Sequence, residues 1–449
     1  MPPSTALRPR RPAPSARRVT AVTVTILFVA WIVDYVDRLV ISTALPSIGK
    51  EFGLDHTQQG LVMTVFFISY ALCQFPGGML ADRVGCRRIM VAAMVAWSVF
   101  TGLTGLAASF GMLLVVRVLF GVTEGVFPGA SLKAVTERTE PRTRMTANGI
   151  MLGSNPLGAA LAPLIAAPVI VAVGWKESFY SVALAGVVVA AVLWFFLPEP
   201  LPQAAGAEAA EPEAAQPEAA GQPVRPAAVL RPAALIRRGV LWRFALLFAG
   251  QDLIAWGLTS WVPSYLQTVK HVSTGATGVL ASIPFFCATA GTVVGGLLFD
   301  RLFYGRHRLL LVPAFAVSGV FLLLMASTPS TGMFVFYQSV SMLALYLAFM
   351  PILGLPLRLL PREVAGSAAG LVNMGGQLAG AVAPFVMGFL SDRFSFTAAF
   401  LFLEVGAVIG IGAALWAPER PEQLARHFPE LAARPDARSA PNTASTRNS

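Results

Sequence analysis

Charge is the first thing this sequence lacks. Asp, Glu, Lys and Arg make up only 12% of its 449 residues, 55% are hydrophobic, and the mean hydropathy is +0.67. Soluble domains carry roughly 25% charged residues, so a soluble globular protein is excluded and a polytopic membrane protein is expected. Cysteine is scarce too. Cys73, Cys86 and Cys287 are scattered, odd in number and without C-x-x-C spacing, which argues against a disulfide framework or a metal site. The four histidines, His56, His271, His307 and His427, fall in expected loops or tail. No HExxH, P-loop or GxSxG pattern occurs, so neither enzyme chemistry nor a cofactor is expected. A cleavable signal peptide is not expected either. MPPSTALRPRRPAPSARR is basic and Pro-rich, but it leads into a long apolar segment rather than a short core with a cleavage site. An uncleaved first helix with a cytoplasmic tail is expected.

What the chain has is long apolar runs. A spanning helix needs about 20 mostly apolar residues, and twelve stretches qualify: 20–45, 58–81, 87–108, 111–133, 145–172, 177–197, 240–267, 276–299, 308–327, 331–358, 365–391 and 396–416. The segments between and around them give an N-tail (1–19), a first six-helix bundle (20–198), a linker (199–238), a second six-helix bundle (239–417) and a C-tail (418–449). The linker's Ala/Pro/Glu bias cannot bury a core, so disorder is expected there. Its last part, LRPAALIRR, reads equally as a short surface helix or a plain linker end.

The formal charge of +10 has to be read by position. Of 33 Lys and Arg, 27 fall in segments on one side of the expected membrane and 4 (Lys50, Lys176, Lys270, Arg393) on the other. Positive residues collect inside, so both termini and the linker are expected in the cytoplasm of a bacterial inner membrane. The basic balance then reports topology, and a nucleic-acid partner is not expected.

The two halves echo each other. GGMLADRVGCRR from Gly77 is matched by GGLLFDRLFYGRHR from Gly295, an offset of 218 residues, and GIMLGSNPLGAALAP (149–163) by GLVNMGGQLAGAVAP (370–384), an offset of 221. Two six-helix repeats imply two half-bundles with a substrate site at mid-membrane between them. With these features the chain resembles the major facilitator superfamily, whose mark is the GGxLADRxGxRR loop after the second helix. DYVDR, SYALCQFPGGMLADRVGCRR, RVLFGVTEGVFPGA, WVPSYL and GLVNMGGQLAGAVAP resemble its anion:cation symporter family of phthalate permease and sialin relatives. The resemblance covers nearly all the chain outside tails and linker. It implies an all-α fold of 12 transmembrane helices in two pseudo-symmetric bundles. It also implies a gate in the loop motif, at Asp82, Arg83 and Arg87, that holds the outward-open state; topology charge alone is the competing account. Many members have Asn where Asp34 stands.

Ionisable residues inside a span are costly and mark function by default. At 100° per residue, Asp34, Asp37 and Arg38 share an arc of about 100° on the first helix. Arg117 and Glu124, seven apart, share a face of the fourth. Buried ion pairs add little stability over apolar packing, so structural pairing alone accounts poorly for five such groups, although Arg117 also reads as a packing clamp. These five residues carry three negative and two positive charges. The net −1 repels an anion, and two protons turn it to +1. Asp37 and Glu124 are the candidate proton carriers, an assignment the resemblance also implies, with Asp34 a third. Arg38 is the candidate clamp for a substrate carboxylate, whose geometry its planar fork matches, with Arg117 beside it. Tyr35, Tyr70, Gln74, Asn155, Tyr265 and Asn373 are candidate substrate contacts, with interhelical hydrogen bonding as the alternative. Asp252 and Glu404 are lone acids of the second half, either polar helix features or secondary proton sites.

The reading these features give is a secondary active transporter, taking up an organic carboxylate (sugar acid, aromatic acid or dicarboxylate) with protons by alternating access. Sodium is the other candidate ion, and a monomer in the lipid bilayer is expected. The alternative is a proton-linked exporter of drugs or metabolites. A membrane receptor on a transporter fold ranks lower, because the tail after Pro418 is short and polar.

Overall fold

The structure is a computed structural model that describes residues 15–140, 142–201, 239–303, 305–359, 362–419 and 423. The expected disorder and surface helix of the linker, and most of both tails, lie outside the described residues. The elements are all helical. In the first half they are α1 (Ala16–Phe52), α2 (His56–Val84), α3 (Cys86–Gly105), α4 (Phe110–Glu124), α5 (Phe127–Arg138), α6 (Arg144–Leu152), α7 (Ser154–Val173) and α8 (Trp175–Phe196). In the second half they are α9 (Gly239–Thr268), α10 (Thr274–Arg301), α11 (Arg308–Ser327), α12 (Thr331–Leu347), α13 (Phe349–Leu359), α14 (Arg362–Arg393), α15 (Phe396–Phe402) and α16 (Glu404–Trp416). Each of the twelve apolar stretches is one helix or a pair joined across a short break.

Ten of these spans are long and apolar enough to cross a membrane, and α2 makes an eleventh when its arms, bent by 46° between Gln74 and Pro76, are taken together. The twelfth, α9, is less apolar because it carries Arg243, Gln251 and Asp252. Its 30 residues still extend about 45 Å at 1.5 Å per residue, and the stretch from Gly250 to Leu266 is buried throughout. Lipid replaces water at the surface. Leu72, Phe195, Phe196 and Val408 are more than two-thirds exposed, while Asp34, Asp37, Arg38, Arg117 and Glu124 are at most 3% exposed.

Proline explains three of the four breaks among the described residues; Pro156 stands four residues after Leu152, where α6 ends, and two more follow the same rule. A proline inside a helix loses its N–H and crowds the carbonyl four residues back. For Pro128 that residue is Glu124, where α4 ends, and for Pro351 it is Leu347, where α12 ends. The two breaks stand at equivalent places in the two halves. Pro163 and Pro384 lie inside continuous helices.

The halves meet along α2 and α14 and along α7 and α10. Thr64 Oγ1 donates to the Ala381 carbonyl at 2.7 Å, and Gln267 Nε2 to the Thr43 carbonyl at 3.3 Å. Gly60 and Gly388 permit this approach: a Cβ on Gly60 would stand 2.5 Å from the Pro384 carbonyl oxygen, and one on Gly388 would strike the His56 carbonyl. Asp392 closes this face. Its carboxylate accepts from the His56 and Thr57 backbone N–H groups (3.1 and 2.7 Å) and from Thr57 Oγ1 (2.7 Å), and lies 2.6 Å from His56 Nδ1. An acid of the second half thus caps the N-terminus of a first-half helix, where orphan N–H groups and the helix dipole favour an anion.

Asp392→Ala is expected to loosen this face. With the three native cysteines replaced, a cysteine at Thr64 should react several-fold faster with a membrane-impermeant thiol reagent in the Asp392→Ala background. Equal rates would mean that the cap does not hold the face shut.

Candidate functional site

The site grows from α1. Asp34 and Arg38 are four residues apart, so their side chains meet on one helix face, with Arg38 Nη2 3.1 Å from Asp34 Oδ2. Glu124, at the end of α4, reaches the same guanidinium. Its Oε1 accepts from Nη2 at 2.8 Å and from Nε at 3.0 Å. Two carboxylates therefore share one arginine nitrogen, in a cluster where no member is more than 3% exposed. Asp34 Oδ1 and Glu124 Oε2 stay buried without a hydrogen-bond partner.

Asp37 belongs to a second group behind the first. Its Oδ1 accepts from Thr101 Oγ1 of α3 at 2.6 Å, and its Oδ2 is buried without a partner. Arg117 lies against the rings of Phe120 and Phe179, 4.8 and 5.8 Å from their centroids, with Nε and Nη2 unpartnered. Asp37 and Glu124 are the acids whose charge it feels. The five ionisable groups thus divide into Arg38 with Asp34 and Glu124 in front, and Asp37 with Arg117 behind.

Aromatic rings wall the front group. The Arg38 guanidinium carbon is 4.6 Å from the Tyr70 centroid, 4.9 Å from Tyr35, 5.5 Å from Phe66 and 5.8 Å from Trp256. Such contacts are worth up to about 2 kcal/mol each when desolvated. Trp256 comes from the second half, on α9. It stacks on Tyr35 (6.2 Å, 22°) and meets Phe67 edge-on at 4.7 Å, so the cage crosses the boundary between halves.

The other sequence candidates are spread around this cage. Asn373 Nδ2 of α14 donates to Gln74 Oε1 of α2 at 2.7 Å, a bond between the halves. Asn155 is buried with Oδ1 unpartnered, three residues before Gly158, which packs on Tyr35. Tyr265 is set apart. It packs in a ring cluster with Phe334, Phe396 and Phe400, centroids 4.9–5.4 Å away, and Phe396 in turn meets His56 at the closed face. Glu404 sits against Gly319 of α11, also away from the cage. In the loop motif, Asp82 accepts from Lys133 Nζ at 3.1 Å and Arg87 pairs with Glu199 at 3.1 Å, both within the first half, while Arg83 is exposed.

Trp256, Phe66 and Thr101 are residues that sequence reasoning missed. Trp256 had a signal, since it follows Asp252 by four residues and shares its face of α9. Thr101 had none, because a single threonine in an apolar helix is unremarkable.

A two-half helical bundle with a charged, aromatic-walled site at the boundary of its halves defines a membrane transporter. The Major Facilitator Superfamily profile matches residues 27–384 and 271–443, and the chain belongs to that superfamily of transporters. It is 30% identical over 384 residues to the hexuronate transporter of Bacillus subtilis, covering 84% of this chain and 89% of the relative. It is likewise 30% identical over 396 residues to a probable sulfoacetate transporter of Cupriavidus necator, covering 86% and 91%. A probable L-galactonate transporter of Escherichia coli is 26% identical over 384 residues, 84% of each chain. Among solved structures, a bacterial homologue of the human lysosomal transporter Spinster, inward-facing and occupied, superposes with a TM-score of 0.72 at 19% identity, covering 94% of this chain and 98% of that one.

Arg38→Ala is expected to leave Asp34 and Glu124 buried without their cation and to cost about 3–5 kcal/mol, read as a lower melting temperature of the purified protein. Adding Glu124→Gln should restore part of that loss, because the charge being stranded is then removed. A double variant no more stable than Arg38→Ala alone would show that the pair is not energetically coupled.

Proposed function

We propose that the protein is a secondary active symporter that takes up an organic carboxylate with protons across the bacterial inner membrane. The observation that carries this reading is the state of Arg38: both Asp34 and Glu124 hold its guanidinium. A substrate carboxylate can take the bidentate position on an arginine only if an internal carboxylate gives it up. Protonating Glu124 or Asp34 removes that competitor, so proton and anion enter together. Charge points the same way. The five groups sum to −1 with every acid ionised, which repels an anion, and to +1 with two acids neutralised.

Within this reading Glu124 and Asp37 carry protons and Arg38 clamps the substrate. Asp34 contacts Arg38 directly, which supports giving it a share of the titration. Arg117, behind Phe120, serves as counter-charge to Asp37 and Glu124. Tyr35, Tyr70 and Trp256 flank the bound acid, and Gln74 and Asn373 tie the halves at its edge. The two bundles, 20–198 and 239–417, rock about this site, with both termini and the linker in the cytoplasm. The closed face, capped by Asp392, is then the outer one. Asp82 bonded inside its own half fits a released inner gate. The named substrates of the relatives (hexuronate, L-galactonate, sulfoacetate) are all acids, which supports an organic anion over a drug as the cargo.

In proteoliposomes, an inward proton gradient is expected to drive uphill uptake of a sugar acid with alkalinisation of the outer medium. Asp37→Asn and Glu124→Gln should lose uphill uptake, while Arg38→Ala should lose binding. Full gradient-driven uptake in both acid variants would refute the coupling role. Uptake driven by sodium alone would replace the proton.

A further inference from the structure

The mechanism above leaves one buried acid unused. Asp252 of α9 is 7% exposed and comes from the second half. Its Oδ2 lies so close to α14 that a Cβ on Gly376 would collide with it. One turn further along the same face of α9 stands Trp256, which closes the cage over Tyr35 and Arg38. Four residues of helix rise about 6 Å, so Asp252 sits one turn beyond the cage wall. Arg38 and Tyr346 of α12 are near enough to interact electrostatically with it. Among the described residues no Lys or Arg forms an ion pair with it. The site therefore has a guanidinium at its first-half end and, at its second-half end, a carboxylate with no cation in an ion pair and Trp256 as its side-chain hydrogen-bonding neighbour, which leaves acceptor positions for a ligand.

We infer that Asp252 is a specificity-determining residue. Arg38 takes the substrate's single carboxylate, Asp252 accepts hydrogen bonds from hydroxyls at the other end of the molecule, and a second carboxylate there is rejected. This rests on the carboxylate reading above and narrows it to hydroxylated monocarboxylates. The physical reason is an asymmetry of recognition. A buried acceptor must be matched by donors, and a polyol chain supplies them. A dicarboxylate instead brings like charge against Asp252 in a site that excludes water, where such a juxtaposition is strongly disfavoured. Gly376 acts in a supporting way, since a larger residue would push the carboxylate out of position.

D-Gluconate and D-glucarate make a matched test, sharing one carbon skeleton and differing in the second carboxylate. Their affinities are measured by competition against a labelled sugar acid on the purified, full-length protein. Wild type is expected to prefer gluconate. Asp252→Asn, nearly equal in shape but uncharged, should reduce the gluconate-to-glucarate preference by about tenfold, largely through tighter glucarate binding. Asp252→Ser should do the same, and Gly376→Ala should move the ratio in the same direction, so the outcome does not hang on one variant folding. An unchanged ratio in folded variants overturns the role of Asp252 while leaving the carboxylate reading intact. A wild type that binds no organic acid overturns both.

Discussion

Everything in the centre of this molecule depends on one guanidinium with more than one claimant. Arg38 is buried, and a buried arginine cannot shed its charge, so something negative must stand beside it. Glu124 and Asp34 do, at 2.8 and 3.1 Å from the same nitrogen. That arrangement is a poor investment for stability alone, because apolar packing of similar volume does as well without desolvating charge. It fits the proposed site, in which a substrate carboxylate displaces an internal one. The aromatic cage strengthens the contest by excluding water, since a lower effective dielectric enlarges both attraction and repulsion.

The backbone serves that contest. Pro128 ends α4 at Glu124, so the acid sits at a helix end rather than inside a rigid turn, and Pro351 repeats the break in the second half. Breaks of this kind are tolerated in a bundle only where protein, not lipid, surrounds the freed carbonyls. Both pack inside their own half, Val126 against Gly77 of α2 and Leu347 against Gly295 of α10, so each break has protein beside it.

Much of this was legible in the sequence, and the reason is that bilayers simplify folding. Hydrocarbon enforces helices of a set length, so twelve apolar runs located the helical segments to within about four residues, the breaks excepted and the ends of α1 at Phe52 and α5 at Arg138 running further. The face shared by Asp34 and Arg38 followed from the helical period and is realised as a bond. Asp37 did not follow its neighbours. It lies within the same arc, yet it turns to Thr101, a partner on another helix that no spacing within α1 can reveal. Tyr265 shows the same limit from the other side. A tyrosine in a span reads as a polar handle, but here tertiary packing places it among Phe334, Phe396 and Phe400. Contacts within one helix are written in its period, whereas contacts between helices depend on rotation and tilt that a single sequence does not state.

The cage and the cap together tie occupancy to conformation. Trp256 reaches Arg38 and Tyr35 from the opposite half, and Asp392, also of the second half, reaches His56 and Thr57 of the first. Both contacts exist only while the halves are close on this face, so both must break when it opens. Opening then costs the cap hydrogen bonds and the ring stack, and only a ligand with greater affinity for the open form can repay that cost. A bare guanidinium released from Trp256 is such an attraction for an anion. A guanidinium still held by Glu124 is a much weaker one. In the proton-coupled reading proposed above, the acid that blocks Arg38 would do two things at once: keep an unprotonated carrier from drawing in substrate, and remove the gain from opening without a proton.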